Sequence, residues 1–350
     1  MKRQQPVLVD IAKAAEVSTA TVSRALNGSP LVSPEVRERV RRIAGEMNYR
    51  MHLSARNLRT QKTEIVALVN RSASRRISDP FLSEFAGEIS VTLRGRGYDL
   101  LISSVDPGDG EWIDRLVHSR RVDGLILMNR TVNDPDIANL TRLGVPFVVL
   151  GPRLPGQIYH SIGQDYTLGG ELAARHLLTL GHRHIAAIGA PTTQAASRML
   201  IESFRRTLRE AGVPLPPERM IETEYTLDLG SAAMLRLLAL RPRVTAVFAF
   251  SDLLAIAAMG AIRDSGLSVP RDISVVGFDD VPFAAYASPP LTTVHQDIGR
   301  IGQLVAAQLL DLIEERAVDD VVLPVRLVIR GSTARPLSPD TQTRDDSVWR

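Results

Sequence analysis

Residues 9–27 of this chain read V-D-I-A-K-A-A-E-V-S-T-A-T-V-S-R-A-L-N, a pattern that few folds accommodate. Apolar residues recur at helical spacing on both sides of a short break, which predicts two short amphipathic helices joined by a tight turn. Asp10 is placed to cap the first helix, with Ile11, Ala14 and Ala15 turned inward and Val17 filling the turn. Ser18 is placed to cap the second, where Val22 and Leu26 lie four apart on the buried face. Thr19, Ala20, Thr21, Ser23 and Arg24 then fall on the outer side or its rim. Short side chains and one arginine on an exposed second helix suit insertion into a DNA major groove.

A third helix is expected to open at Ser33-Pro34-Glu35 and run to about Asn48, burying Val36, Val40, Ile43 and Met47 and leaving Arg37, Arg39, Arg41 and Arg42 around that stripe. Charge supports a polyanion-binding head. Residues 1–62 hold 12 Lys and Arg against 5 Asp and Glu, a net +7, whereas the whole chain carries only +3. A small helical protein-binding module would explain the helices but not this segregation. With 44% apolar and 23% charged residues over 350 positions, the rest is expected to fold as a large globular body. The absence of cysteine excludes disulfides, thiolate zinc sites and cysteine nucleophiles. No run of about 18 apolar residues occurs and the basic start leads into a polar helix, so no membrane span or leader is expected and the chain is placed in the cytoplasm.

The segment beginning at Val9, followed by V-S-P-E-V-R-E-R-V and M-N-Y, resembles the LacI/GalR family of bacterial transcriptional regulators. That resemblance implies that Thr19 and Ala20 choose among operator sequences, that Arg24 contacts a base or nearby phosphate, and that Thr21, Ser23 and Asn27 dock the head on the DNA backbone. Glu16 departs from the family, which often has glycine in the turn. Residues 50–62 contain enough apolar groups for one short helix but too few to fold it alone, so ordering on DNA is expected. The resemblance makes this a hinge helix. Ala55 then lies at the DNA, and Leu58 is the side chain that wedges between base pairs in the minor groove. Met51 stands where relatives usually have proline.

From residue 63 the pattern changes to apolar strands alternating with amphipathic helices. Strands are predicted near 65–69, 100–103, 124–127, 147–150, 184–188, 244–250 and 274–277, with helices near 81–94, 112–121, 197–211 and 253–264. This rhythm predicts an α/β body with two doubly wound, mainly parallel sheets, joined to a small all-α head. The expected organisation is a head at 1–49, a hinge at 50–62, a two-lobed body at 63–334 and a flexible tail at 335–350. The first lobe takes about 63–163 and 294–325, and the second about 164–293 and 326–334.

Body matches to the same family include Asp79-Pro80-Phe81, Leu180-Gly-His182, V-V-G-F-D-D ending at Asp280, P-P-L-T-T-V-H-Q-D at 289–297 and R-G-S-T at 330–333. They imply a body like that of periplasmic sugar-binding proteins, with a small molecule in the cleft outside the carboxyl ends of the strands. Asp279 and Asp252 each follow an apolar strand, where a carboxylate can accept two ligand hydroxyls. Capping of the following helices is the competing role for Asp252 and Asp280. The resemblance turns Asp279 and Ser251 toward the effector and lines the cleft with Gln296, Tyr225 and Phe81. Two departures stand out. Leu200 replaces an arginine that relatives commonly turn to the effector, which leaves Arg198 as the nearby substitute, and Gly151 replaces a polar contact.

No phosphate loop, dinucleotide fingerprint or H-E-x-x-H motif occurs, and His182 and His184 lack a metal-ligand framework, so no metal, cofactor or catalytic residue is expected. The competing readings are an enzyme or a free solute-binding protein of the same two-lobed fold, and neither explains residues 1–62. The expected partners are double-stranded operator DNA and a small effector, with sugars, sugar acids and nucleosides foremost. Two heads meeting two half-sites require a homodimer. The polar tail has no apolar heptads, so no tetramerising helix is expected.

Overall fold

The computed structural model describes residues 6–26, 28–47, 49, 62–71, 78–106, 108–131 and 134–337. The chain divides into two compact units, 1–62 and 63–350. Asn27 and residues 51–61, with Ala55 and Leu58, lie outside the described residues.

The head has three helices: α1 (Leu8–Ala14), α2 (Thr19–Leu26) and α3 (Pro34–Glu46). Asp10 is not the cap of α1. It sits in the first turn, and its carboxylate accepts the Val7 N–H at 2.9 Å. Ile11 and Ala15 face inward as expected, but Ala12 is buried in place of Ala14, which is exposed. Ser18 does cap α2, accepting the Thr21 N–H at 3.1 Å. Ser33 caps α3 ahead of Pro34. Ile11, Ala15, Val22, Ala25, Val40 and Ile43 form the core. Arg37, read from sequence as one of the surrounding basic groups, donates to the Ser29 and Val32 carbonyls at 2.8 and 3.3 Å and braces the turn before α3.

The body contains two six-stranded sheets. The first is built from β1 (Ile65–Asn70), β2 (Asp99–Ser104), β3 (Gly124–Met128), β4 (Phe147–Leu150), β5 (His160–Gln164) and, arriving late in the chain, β11 (Val321–Leu323). Its order is β11-β5-β4-β3-β1-β2, all parallel. The second contains β6 (Ile185–Gly189), β7 (Met220–Glu222), β8 (Ala246–Ala249), β9 (Ser274–Asp279), β10 (Thr292–His295) and β12 (Arg326–Val328), in the order β12-β10-β9-β8-β6-β7. Only β12 runs antiparallel. Central strands such as β3, Gly-Leu-Ile-Leu-Met, are buried along their whole length because helices cover both faces.

Helices α4 (Pro80–Arg94), α5 (Pro135–Leu143) and α10 (Ile298–Ile313) pack on the first sheet. Helices α6 (Tyr166–Thr179), α7 (Ala195–Glu210), α8 (Leu227–Leu238) and α9 (Asp252–Asp264) pack on the second. The chain crosses between sheets after β5, after β10 and between β11 and β12. The second crossing follows His295, which still pairs with Asp279. The helix expected near 112–121 runs over 112–118 and widens at Asp114–His118, where the Ser119 N–H reaches the Asp114 carbonyl at 3.1 Å. Among the described residues, no helix is long and apolar enough to cross a membrane.

Candidate functional site

In the head, Thr19, Ala20 and Arg24 are exposed on α2, and Thr21 and Ser23 are half-buried at its rim. Ala20 and Arg24 are four residues apart and so share one face. The Thr21 hydroxyl lies 2.9 Å from the Ser18 hydroxyl, which ties it to the capping turn. The turn reaches α2 through Glu16 at a φ of 53°, the left-handed conformation that glycine adopts without cost. A tight turn therefore survives the substitution of glycine by glutamate.

In the body, a cavity of about 80 Å³ lies where carboxyl ends of strands from both sheets converge. That is room for several water molecules, and so for a small organic ligand. From the first sheet come Phe81 at the start of α4, Asn129, Arg130 and Thr131 after β3, and Gly151 after β4. From the second come Gln194 and Ser197 at the start of α7, Tyr225 after β7, Phe250 after β8, Phe278 and Asp279 at the end of β9, and Gln296 after β10.

Local sequence explains these positions. Asp79 caps α4 by accepting the Phe81 N–H at 3.0 Å, and Pro80 fixes the first helical residue, so Phe81 is delivered to the cavity wall. Asp279 has a φ of 120°, which turns its carboxylate out of the strand, and the Gln296 amide donates to it. Tyr166 stacks on Phe278 with ring centroids 6.3 Å apart. Polar anchors among aromatic faces are the usual equipment of a site for a hydroxyl-rich or ring-shaped ligand. Two backbone contacts close the mouth: the Ala195 N–H donates to the Arg130 carbonyl at 3.3 Å, and Thr131 bridges to Gln194.

Three sequence candidates lie elsewhere. Ser251 caps α9, its hydroxyl accepting the Leu254 N–H at 3.2 Å. Asp252 is fully buried and accepts the Val281 N–H at 2.8 Å and the Thr293 hydroxyl at 2.6 Å, so it locks the loop after β9 to β10. Burial pushes its pKa up to about 7. Gly277 leaves the space Asp252 occupies, since a Cβ there would stand 2.3 Å from its Oδ1. Arg198 is exposed and pairs with Glu202 at 2.9 Å, because Ser197 and Leu200 occupy the cavity-facing side of α7. Asp280 is no helix cap either. It holds Arg330 at 2.6 Å and His295 at 2.9 Å.

The main residue that sequence reading missed is Arg130. It is 6% exposed and pairs through Nη2 with Asp134 at 2.7 Å and Asp136 at 3.1 Å. Burial lowers its pKa, with Asp134 and Asp136 opposing. The spacing of Arg130, Asp134 and Asp136 directly after an apolar strand was the available signal.

A helix-turn-helix unit in the same chain as a two-sheet body with a cavity between the sheets defines a DNA-binding regulator with a ligand-binding body. Residues 7–51 match the family of bacterial regulatory proteins, lacI family, and residues 174–333 match the periplasmic binding protein-like domain. The transcriptional regulator CelR of Thermobifida fusca is 35% identical over 332 residues, covering 94% of this chain and 96% of that protein. The ribose operon repressor of Haemophilus influenzae is 33% identical over 312 residues, covering 87% and 91%. A lac repressor dimer bound to operator and the anti-inducer ONPF superposes with a TM-score of 0.82 at 30% identity, covering 95% of this chain and 100% of that one. The chain belongs to the LacI family of transcriptional regulators.

Proposed function

We propose that this protein is a metabolite-controlled repressor that binds a palindromic operator as a homodimer in the cytoplasm and holds a small sugar-like effector between its lobes. The observation that carries the reading is the cavity itself: both lobes contribute polar anchors and aromatic walls to it, in a chain whose other unit presents Thr19, Ala20 and Arg24. A ligand held by both lobes stabilises one relative arrangement of them and so biases the two DNA-reading heads of a dimer. Thr21, Ser23 and Asn27 are assigned to docking on the backbone, and Ala55 and Leu58 to the hinge. In the cavity Asp279 and Gln296 take ligand hydroxyls, with Phe81 and Tyr225 against its apolar faces. The relative named as a CelR–cellobiose complex, with a TM-score of 0.70 at 34% identity, supports a sugar. The relative named as a dimer on operator supports the assembly. So do Phe283 and Tyr286, 64% and 86% exposed on the body, whose apolar surface a second copy would cover.

Asp279→Asn tests the reading. Calorimetric titration with the strongest ligand from a sugar and nucleoside screen should show roughly tenfold or greater weakening, with operator binding retained. Unchanged ligand affinity would remove Asp279 from the site.

A further inference from the structure

Lysine is confined to one end of this chain. It occurs three times, at Lys2, Lys13 and Lys62, and the other 39 of the 42 basic residues are arginine. A preference for arginine explains why lysine is rare but not where it falls. Residues 1–62 hold only 12 of the 42 basic residues yet all three lysines, and the 30 basic residues of the body are arginine without exception. The boundary between the two compact units falls at the last of the three, Lys62. The two side chains differ in chemistry more than in charge. A guanidinium stays protonated and offers no lone pair, whereas a lysine amine that has lost its proton is a nucleophile. An activated acyl group therefore meets no side-chain amine on the body and three in the unit that carries α2. Resting on the reading of that unit as the DNA-binding head, we propose that Lys13 and Lys62 are acyl-acceptor sites, and that their modification by an acyl phosphate or an acyl thioester weakens the head's grip on DNA.

Both side chains are open to such a reagent. Lys13 lies exposed in the last turn of α1, and among the described residues its ammonium group has neither an ion pair nor a hydrogen bond. Lys62 is exposed as well, and it immediately precedes Thr63 and Glu64, whose N–H groups donate to the Asp123 carboxylate at 2.7 and 2.9 Å. It is the last residue before the chain is clamped to the first lobe. Lys2 lies outside the described residues.

In the transfer, the deprotonated amine attacks the acyl carbonyl carbon and a C–N bond forms. The C–O bond to phosphate, or the C–S bond to the thiol, breaks with its electron pair leaving on oxygen or sulfur, and the nitrogen gives up one proton to solvent. The product is a neutral amide. Each event removes one positive charge from a segment whose net charge is +7, and so removes part of the counterion release that drives binding to phosphates. That attraction is the same for every base sequence, so specific and random duplexes should weaken together.

The full chain, incubated with acetyl phosphate or, in parallel, with acetyl-coenzyme A, should gain acetyl groups at Lys13 and Lys62 when its peptides are mapped by mass. Modification by one donor and not the other would support the proposal and identify the source of the acyl group. The modified chain should bind a selected operator and a random duplex each at least roughly threefold more weakly, with a salt dependence shallower by about 1 for each modified side chain that meets a phosphate. The triple variant Lys2→Arg, Lys13→Arg, Lys62→Arg keeps every charge and removes every acceptor side chain. It should bind both duplexes as the untreated chain does and lose nothing with either donor. Absence of acetyl groups at Lys13 and Lys62, unchanged DNA affinity after modification, or an equal loss in the arginine variant would overturn the proposal and leave the DNA-binding head standing. An untreated chain that binds no duplex would overturn both.

Discussion

Arg24 separates reading DNA from sensing a ligand. It is exposed on α2, one turn beyond Ala20, and its backbone carbonyl, which substitution leaves in place, accepts the Ser29 N–H at 3.0 Å. Arg24→Ala should therefore cost about 1–3 kcal/mol of operator affinity, and the loss should fall mainly on the specific sequence rather than on random duplex. Fluorescence anisotropy with both duplexes, alongside ligand calorimetry, checks this; equal losses on the two would make Arg24 a phosphate contact. The opposite kind of residue is Asp252. Its position after an apolar strand reads like that of Asp279, but a strand-end carboxylate can point either into the cleft or back into the fold. A Val281 N–H and a Thr293 hydroxyl decide in favour of the fold, and both come from segments nearly 30 or more residues away. Sequence alone placed the carboxylates at the correct strand ends and could not supply that distinction.

At the scale of elements, the strands that were legible are those buried on both faces. β1, β3 and β4 are continuous apolar runs, and a chain that buries both sides of a parallel sheet has no other way to write them. β5, His-Ser-Ile-Gly-Gln, escaped because Ile162 is its one large apolar residue, and its Ser161 is held from afar, the N–H donating to Asp320 at 2.8 Å. The antiparallel β12 escaped because three residues carry no period. His182 shows how an element is pinned. Its Nε2 faces the Ala334 carbonyl at 2.9 Å and so must donate, which leaves Nδ1 to accept from Thr245, also at 2.9 Å. This neutral form ties the segment after β12 to the second sheet. Burial pulls the His182 pKa down to about 4, and burial lowers that of His176 as well. A histidine depressed in the folded state contributes stability that is present above its unfolded value near 6.5 and is lost as pH falls toward 4. Thermal melts between pH 7 and 4.5 should show a loss of a few kcal/mol, and His182→Gln should flatten that dependence. An unchanged slope in the variant would assign the acid sensitivity to other groups.

For the whole molecule, the sequence showed two lobes and a separate basic head because their compositions differ: apolar runs in one, clustered arginines in the other. It did not show the buried Arg130–Asp134–Asp136 cluster, which assembles beside a sheet that forms only when β3 lies between β1 and β4. Nor did it show that the mouth is closed by backbone, through Ala195 and Thr131. Those contacts join the lobes, and a ligand touching both walls acts on the same equilibrium.

The most direct test of the account is the coupling between the two sites. Operator affinity should be measured with and without the bound ligand, and ligand affinity with and without operator, using a duplex selected from a random pool. The account predicts the same factor from both directions, roughly 5- to 150-fold, since linkage is reciprocal. A ligand that fills the cavity while operator affinity stays unchanged would contradict it.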